Sequence, residues 1–168
     1  MAAHSFQGHT PMTTRAALTL TVVLAIGTGV AIDAQSPGTI LPASEIKWPA
    51  AAAGAVGTSG IAAIQTVVLK GDPSKPGLYT LLLRLGPNQR IEAHAHQDDR
   101  TAVVISGTWY FAYGSAFDES KLRALPAGSF YTEPPSVNHF AATKQDGVTI
   151  EITGYGPSST AYAKAPAK

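Results

Sequence analysis

Cysteine is absent from the 168-residue chain, and this absence excludes several kinds of site. Without thiols the protein has no disulfide, no thiolate metal ligand, no nucleophilic cysteine and no lipid anchor on an N-terminal cysteine. Any metal ion must therefore be bound mainly by imidazole and carboxylate groups. The chain contains five histidines, which are the candidates for nitrogen ligands.

Neither sign of charge is in clear excess, since 12 lysines and arginines stand against 11 aspartates and glutamates. There is no basic stripe and no acidic tail, so we expect no nucleic-acid partner. The 12 prolines and 16 glycines are spread along the chain, which is typical of a turn-rich globular protein. The length favours a single domain.

An apolar segment near the N-terminus has the pattern of a secretion signal. Arg15 precedes a largely apolar run without charged residues, small residues follow, and Ala34-Gln35 offers a cleavage point. We therefore predict a signal peptide over residues 1–34, export to the periplasm or the medium, and no stable membrane span after processing. The alternative is an uncleaved anchor, because a run of about 17 apolar residues is at the lower limit for a span.

The rest of the chain predicts short strands separated by turns, with no good amphipathic helix. We expect an all-β domain over residues 61–156, an irregular N-terminal arm over 35–60 and a loose tail over 157–168. A tight turn is expected at Gly107-Thr108. The fold class predicted is an antiparallel sandwich or barrel. The nine predicted strands are 61–69, 78–85, 90–96, 101–106, 109–113, 122–125, 129–133, 139–143 and 148–153.

Three histidines remain after the signal segment is removed: His94, His96 and His139. Residues two apart on a strand point to the same face, so His94 and His96 can reach one ion at about 2.0–2.1 Å. His139 follows several turns later, where a neighbouring strand can bring it alongside. A single histidine is more often a surface or hydrogen-bonded core residue. Three that fit one ligand set predict a metal site.

These residues resemble the first motif of the cupin family. That motif has a glycine, H-x-H, a glutamate and a second glycine. In this chain Gly86, His94, His96, Arg100 and Gly107 stand in those places, with a slightly longer first gap.

The second cupin motif is matched as well, and the resemblance covers about residues 78–153. Gly128, Pro134, Ser136, His139 and Thr143 occupy its positions, with Ser136 in place of a glycine and Thr143 in place of an asparagine. The resemblance, which extends to bacterial exported single-domain cupins, implies a small antiparallel β-barrel of jelly-roll type. It also implies one divalent metal ion bound by the three histidines inside the barrel.

Arg100 departs from the family pattern, because a guanidinium has no lone pair to offer a cation. It can face the pocket and bind an anionic ligand. It can instead pair with Glu92, Asp98, Asp99 or Glu133, or the pocket can have lost its metal. Glu92 lies two residues before His94 on the predicted strand 90–96, so its side chain should point to the same face as those of His94 and His96. It is therefore a candidate to replace the missing carboxylate.

The aromatic run over residues 109–113 has two interpretations. The simpler one is alternate packing of side chains on a strand. The other is the lining of a pocket mouth, in which Tyr110 or Tyr131 acts as a hydrogen-bond donor or general acid beside Arg100.

Cupins include dioxygenases, isomerases, lyases and binding modules, so the fold does not give the function. The leading expectation is a metal-dependent enzyme that acts on a small molecule, with oxidation by dioxygen first among the reactions. The alternative is a non-catalytic binding or sensing module. The ion expected is Fe, Zn, Mn or Ni, the ligand is a small molecule of anionic type if Arg100 faces the pocket, and the sequence is compatible with a homodimer.

Overall fold

The computed structural model describes Met1 and residues 38–163. The predicted signal segment beyond Met1 and the last five residues of the predicted tail lie outside the described residues. Every strand described lies in the unit Ile40–Lys168. Among the described residues, no helix is long and apolar enough to cross a membrane.

Within residues 38–163 the chain forms nine strands and two short 3-10 helices, Ala43–Glu45 and Glu119–Lys121. Every strand pairing is antiparallel. The predicted all-β, antiparallel jelly-roll architecture is therefore confirmed. The strands are β1 (Ile64–Lys70), β2 (Gly77–Leu85), β3 (Arg90–His96), β4 (Arg100–Tyr113), β5 (Arg123–Pro126), β6 (Phe130–Glu133), β7 (His139–Ala142), β8 (Val148–Gly156) and β9 (Thr160–Tyr162).

Strand β4 belongs to both sheets of the barrel. Its half up to Gly107 pairs with β8 and β6, and its half from Thr108 pairs with β5 and β7. One sheet has the order β1-β2-β8-β4-β6, and the other has the order β5-β4-β7-β3-β9.

The turn predicted at Gly107-Thr108 is wrong, because the chain continues there as one strand. The register against β8 shifts between Val104 and Ser106, and Gly107 has a φ of 75°. A Cβ at Gly107 would collide with the carbonyl oxygen of Gly147. A glycine at positive φ serves a bulge as readily as a turn, so the sequence does not separate the two.

The core is built from the inward faces of β2 and β8. Leu81, Leu83 and Leu85 lie directly opposite Ile152, Ile150 and Val148, and all six side chains are buried. Trp109 and Phe111 of β4 pack into the same cluster. Each large apolar side chain buried in this way contributes about 1.5–3 kcal/mol, so this cluster firmly holds β2, β8 and β4 together.

The C-terminal residues differ from the predicted loose tail. Thr160 and Tyr162 of β9 pair with His96 and His94 of β3, so the ordered chain extends past residue 157. A three-residue strand among Pro, Ser and Ala residues carries little sequence signal, because its order comes from pairing with a distant strand.

Candidate metal centre

Three histidine side chains meet inside the barrel. His94 and His96 lie on β3, and His139 begins β7, where it stands directly opposite His94 across the ladder. One ligand nitrogen from each imidazole lies within 4.8 Å of the other two, and all three residues are buried. The structure therefore brings together the three residues that the sequence selects as metal ligands.

A bulge in β3 decides which of its residues face the interior. The register against β7 shifts between Ile91 and His94, so these two residues, three apart, both line the same cavity. Glu92 is turned aside, where its Oε1 accepts from Arg90 Nε over 2.6 Å. The interpretation of Glu92 as a replacement ligand is therefore wrong, because the bulge breaks the strand parity on which it depends.

Backbone carbonyls hold all three imidazoles by the same nitrogen. The Nδ1 of His94 lies 2.8 Å from the Glu92 oxygen, that of His96 2.9 Å from the Ser159 oxygen, and that of His139 3.1 Å from the Val137 oxygen. A carbonyl only accepts, so each Nδ1 carries the proton. Each neutral ring then has its lone pair on Nε2, the atom available to a metal.

Two of these Nε2 atoms have nothing else to bind. The Nε2 atoms of His96 and His139 are buried and make no hydrogen bond within the part of the chain that the structure describes. A buried polar atom without a partner costs about 1–3 kcal/mol. A divalent ion would satisfy both atoms, and three imidazoles are a donor set suited to Zn²⁺, Fe²⁺ or Ni²⁺. The residues present therefore fit a metal ion.

Glu133 and Arg100 form a buried ion pair beside the imidazoles. They are directly opposite one another on β6 and β4, and Arg100 Nη2 donates to Glu133 Oε2. Arg100 Nη1 donates to the Gly57 carbonyl over 2.8 Å. Of the alternatives left open for Arg100, the structure has the ion pair with Glu133. With both Nη atoms engaged, the structure gives no support to an anionic ligand on Arg100.

The electrostatics of the site set its protonation state. Burial lowers the pKa of His94 to about 4, aided by His139, and burial with the charge of Arg100 lowers the pKa of His96 to about 2. The pKa of His139 is also lowered, chiefly by burial. Burial alone would raise the pKa of Glu133, but the Arg100 charge outweighs it, and the pKa falls to about 2. At neutral pH the imidazoles are neutral and Glu133 is ionised, the state that metal binding requires.

The cavity around the imidazoles is small. Its volume is about 20 Å³, enough for a water molecule, which needs roughly 10–15 Å³. It can hold an ion with a very small molecule beside it. Most of its wall is apolar, with Ile64, Leu83, Leu85, Ile91, Ile150 and Ile152 among the lining residues.

Residues 57–59, here named the cover, close one side of this cavity. Thr58 and Ser59 line the cavity and are buried. Besides the bond from Arg100, Thr160 Oγ1 donates to the Thr58 carbonyl over 2.6 Å, and the Tyr162 hydroxyl donates to the Ser59 carbonyl over 2.7 Å. The predicted irregular arm thus supplies a wall of the site, and β9 holds it there.

The two tyrosines singled out in the sequence do not line the cavity. Tyr110 alternates with the buried Trp109 and Phe111, so its ring points away from the interior, where Lys144 Nζ lies 4.8 Å from its centroid. Tyr131 is buried against Phe111, with ring centroids 4.5 Å apart. Burial, followed by the charge of Glu133, raises the pKa of Tyr131 well above its usual range. The expectation that Tyr110 faces the pocket is wrong, because strand alternation sends it outward.

The two departures in the second motif keep the local backbone geometry. Ser136 has a φ of 61°, the conformation that favours glycine, and its N–H donates to the His96 carbonyl over 2.7 Å. Thr143 Oγ1 donates to the Gly86 carbonyl over 2.7 Å and accepts from the Gln89 N–H over 2.8 Å. Both substitutions still tie the loops around β3 and β7 in place.

Sequence reasoning missed the position of Glu133 at the imidazoles and the parts played by Ser159 and the cover. Glu133 appears in the sequence only as one of four candidates to neutralise Arg100. Its place at the end of a strand that leads into His139 is the one signal that could have selected it. The cover and Ser159 act through backbone carbonyls, which have no side-chain signature.

Comparison with known proteins gives the family. The sequence profile of a family described as a domain of unknown function (DUF4437) matches residues 32–156. No curated protein sequence matches the chain.

Solved structures with similar folds have low sequence identity to this chain. The DMSP lyase DddQ of Ruegeria pomeroyi DSS-3 has a TM-score of 0.56 at 12% identity, covering 74% of this chain and 64% of its own. A sugar phosphate isomerase of the cupin superfamily from Silicibacter pomeroyi DSS-3 has a TM-score of 0.55 at 14% identity, covering 74% and 81%.

A crystal structure of the DMSP lyases RdDddP and RnDddQII has a TM-score of 0.52 at 20% identity, covering 65% of this chain and 57% of its own. The chain thus spans less than two thirds of the lyase chains it resembles. At these identities the likeness shows the fold alone. The profile covers well over half of the sequence and the folds agree, so the chain belongs to the DUF4437 family and has the cupin fold.

Proposed function

We propose that this protein binds one divalent metal ion on His94, His96 and His139 and acts on a small molecule there. The observation that carries the proposal is the common orientation of the imidazoles. Each Nδ1 donates to a backbone carbonyl, so each Nε2 presents a lone pair in a buried space large enough for an ion. Burying these lone pairs without a partner costs free energy, which a bound ion would offset.

The donor set narrows the ion to Fe, Zn, Mn or Ni, with Mn the least suited to imidazole. When bound, the ion would supply a Lewis acid with open coordination positions. The chain's own residues would keep the imidazoles neutral by burial, orient them through Nδ1 and exclude bulk water with the cover and the apolar wall.

We propose oxidation of the small molecule by dioxygen as the reaction. The size and polarity of the cavity support this choice, because an apolar space of about 20 Å³ suits a diatomic molecule beside an ion. The organic substrate must then approach by displacing the cover. The competing reactions are those of a lyase and of an isomerase, the activities for which the structural neighbours are named.

A non-catalytic binding or sensing module is the second candidate. It is favoured by the closure of the cavity, since Arg100, Thr160 and Tyr162 all bond the cover to the barrel. A module of this kind would keep its ion and need no path for a substrate.

Metal content is the first test. The full chain, produced without a polyhistidine tag, is offered Fe²⁺, Zn²⁺, Mn²⁺ and Ni²⁺ in turn, dialysed, and analysed by inductively coupled plasma mass spectrometry. We expect one ion per chain for the best-bound metal and none in His139→Ala. Background metal in the wild-type chain under all four conditions contradicts the proposal.

Oxygen uptake separates the two candidates. The Fe²⁺-loaded chain is placed in an oxygen electrode with a panel of small organic acids, sugars and phenols. Uptake that His139→Ala lacks and Tyr110→Phe retains supports the enzyme, because Tyr110 lies outside the cavity. A chain that keeps its ion and consumes no oxygen with any compound supports the binding module.

A further inference from the structure

The carboxylate that the cupin pattern places at residue 100 is found on the neighbouring strand. Arg100 occupies that position on β4, and its direct cross-strand partner on β6 is Glu133. Directly opposite residues in an antiparallel ladder have Cβ atoms about 4.5–5.5 Å apart, so a long side chain on either strand can reach the same point. A glutamate on β6 in place of the one expected on β4 would therefore still bring a carboxylate to the site.

Glu133 presents its two oxygens to two different imidazoles. Oε2 lies 3.8 Å from the Nε2 of His96, and Oε1 lies 3.7 Å from the Nε2 of His139. A tetrahedral ion with bonds of about 2.1 Å separates its ligand atoms by about 3.4 Å. The observed separations are slightly greater, so a small movement of the side chains is enough to bring all three groups onto one ion.

These contacts bring together atoms that repel one another unless a cation lies between them. His96 and His139 each carry the ring proton on Nδ1, which donates to a carbonyl, so the Nε2 lone pairs face an anionic carboxylate. Neither Nε2 has a hydrogen-bond partner among the residues described. An ion pair with Arg100 alone would not require Glu133 to face the imidazoles.

Arg100 fixes the orientation of this carboxylate. Its Nη2 donates to Oε2 of Glu133 while its Nη1 is anchored on the carbonyl of Gly57. Carboxylates that bind metals are commonly held by such a hydrogen bond from a second group.

We infer that Glu133 is the fourth protein ligand of the metal ion, and that Arg100 is the positioning residue that holds its carboxylate. This inference rests on the proposed function, since it needs an ion on the three histidines. It assigns to β6 the ligand that the family pattern places on β4.

Co²⁺ binding provides the test, with the visible absorption spectrum as the readout. The matched pair is Arg100→Met and the double variant Arg100→Met with Glu133→Gln, which differ only in the Glu133 carboxylate. Arg100→Met removes the hydrogen bond that orients this carboxylate, so we expect Co²⁺ to bind about tenfold less tightly than in the wild type. In the double variant we expect affinity at least about tenfold below that of Arg100→Met and a changed Co²⁺ spectrum.

The double variant has no unpaired buried charge, so it is the variant expected to fold if Arg100→Met does not. It is then compared with the wild-type chain, and circular dichroism checks the fold of each. Equal Co²⁺ affinity and an unchanged spectrum on loss of the carboxylate would overturn the inference and leave the three-histidine site intact. Failure of the wild-type chain to bind Co²⁺, Zn²⁺ or Fe²⁺ would overturn the proposed function itself.

Discussion

His96 donates its Nδ1 proton to the carbonyl oxygen of Ser159 over 2.9 Å, although the two residues are 63 positions apart in the chain. The next residue, Thr160, bonds the carbonyl of Thr58 in the cover. One short C-terminal segment therefore orients a candidate ligand and closes the cavity above it. The orientation of His96 and the position of the cover therefore both depend on this segment.

Thr160→Val tests this link. The substitution keeps the side-chain shape but leaves the Thr58 carbonyl without its donor. We expect the free energy of unfolding to fall by about 1–2 kcal/mol and metal affinity to fall about tenfold, as for other residues that orient ligands. Urea denaturation and Co²⁺ titration measure the two effects. Thr101→Val, at an exposed position of β4, is the control and should change neither.

Metal binding should stabilise the fold through the three histidines. An ion present at about 100 times its dissociation constant raises the free energy of unfolding by about 2.7 kcal/mol if only the native state binds it. Urea denaturation with Zn²⁺, and then with Zn²⁺ and excess EDTA, measures the gain and its reversal. His139→Ala should show no gain, and an equal gain in that variant would place the ion elsewhere.

Without metal, stability should fall as the solution is made acidic. Unfolded histidines bind protons below about pH 6.5, whereas His94 and His96 have folded pKa values of about 4 and about 2. Between these values the unfolded state binds more protons. The free energy of unfolding then falls by up to about 1.4 kcal/mol per pH unit for each such histidine as the pH drops below 6.5.

Glu133 adds to this loss at lower pH. The folded pKa of Glu133 is about 2, below the ordinary value of 4.5. Its contribution to the free energy of unfolding is therefore complete above about pH 4.5 and is lost as the pH falls towards 2. Urea midpoints of the metal-free chain at pH 7.5, 6 and 5 measure the histidine part. His96→Gln should flatten the dependence, and a midpoint that is constant or rises on acidification contradicts the expected neutral histidines.

Ser136→Gly should stabilise the protein. Ser136 holds a φ of 61°, which costs a residue with a Cβ about 1–2 kcal/mol. We expect a gain of about 1 kcal/mol in urea denaturation, since part of the relief is offset by the greater freedom of glycine in the unfolded chain. Ser129→Gly, where φ is negative, is the control and should be destabilising. A loss of stability in Ser136→Gly would show that the serine side chain has a role of its own.

The sequence predicts much of the fold and the three-histidine cluster because these depend on local periodicity and on motif spacing. The apolar run on β2 and the H-x-H pair on β3 are properties of adjacent residues, and the structure follows them. Export and a homodimer were also expected from the sequence, and both stay predictions.

Bulges and long-range pairing explain the parts that the sequence misses. The bulge before His94 turns Glu92 out of the site, and Gly107 bends a strand where a turn is expected. Neither bulge is marked by a distinctive local amino-acid composition. Thr160–Tyr162 is ordered by β3, and Glu133 reaches the imidazoles only because β6 pairs with the start of β4. These contacts depend on strand order, which a single sequence does not specify.

The small cavity under the cover should limit how fast a bound ion exchanges with solvent. Thr58 and Ser59 line the cavity and are buried, so we expect an ion at the imidazoles to exchange mainly during the intervals when residues 57–59 have moved away. Extraction by a chelator should then reach a limiting rate that is set by this opening and is independent of chelator concentration. An ion held in this way outlasts brief exposure to a competitor that would remove it at equilibrium.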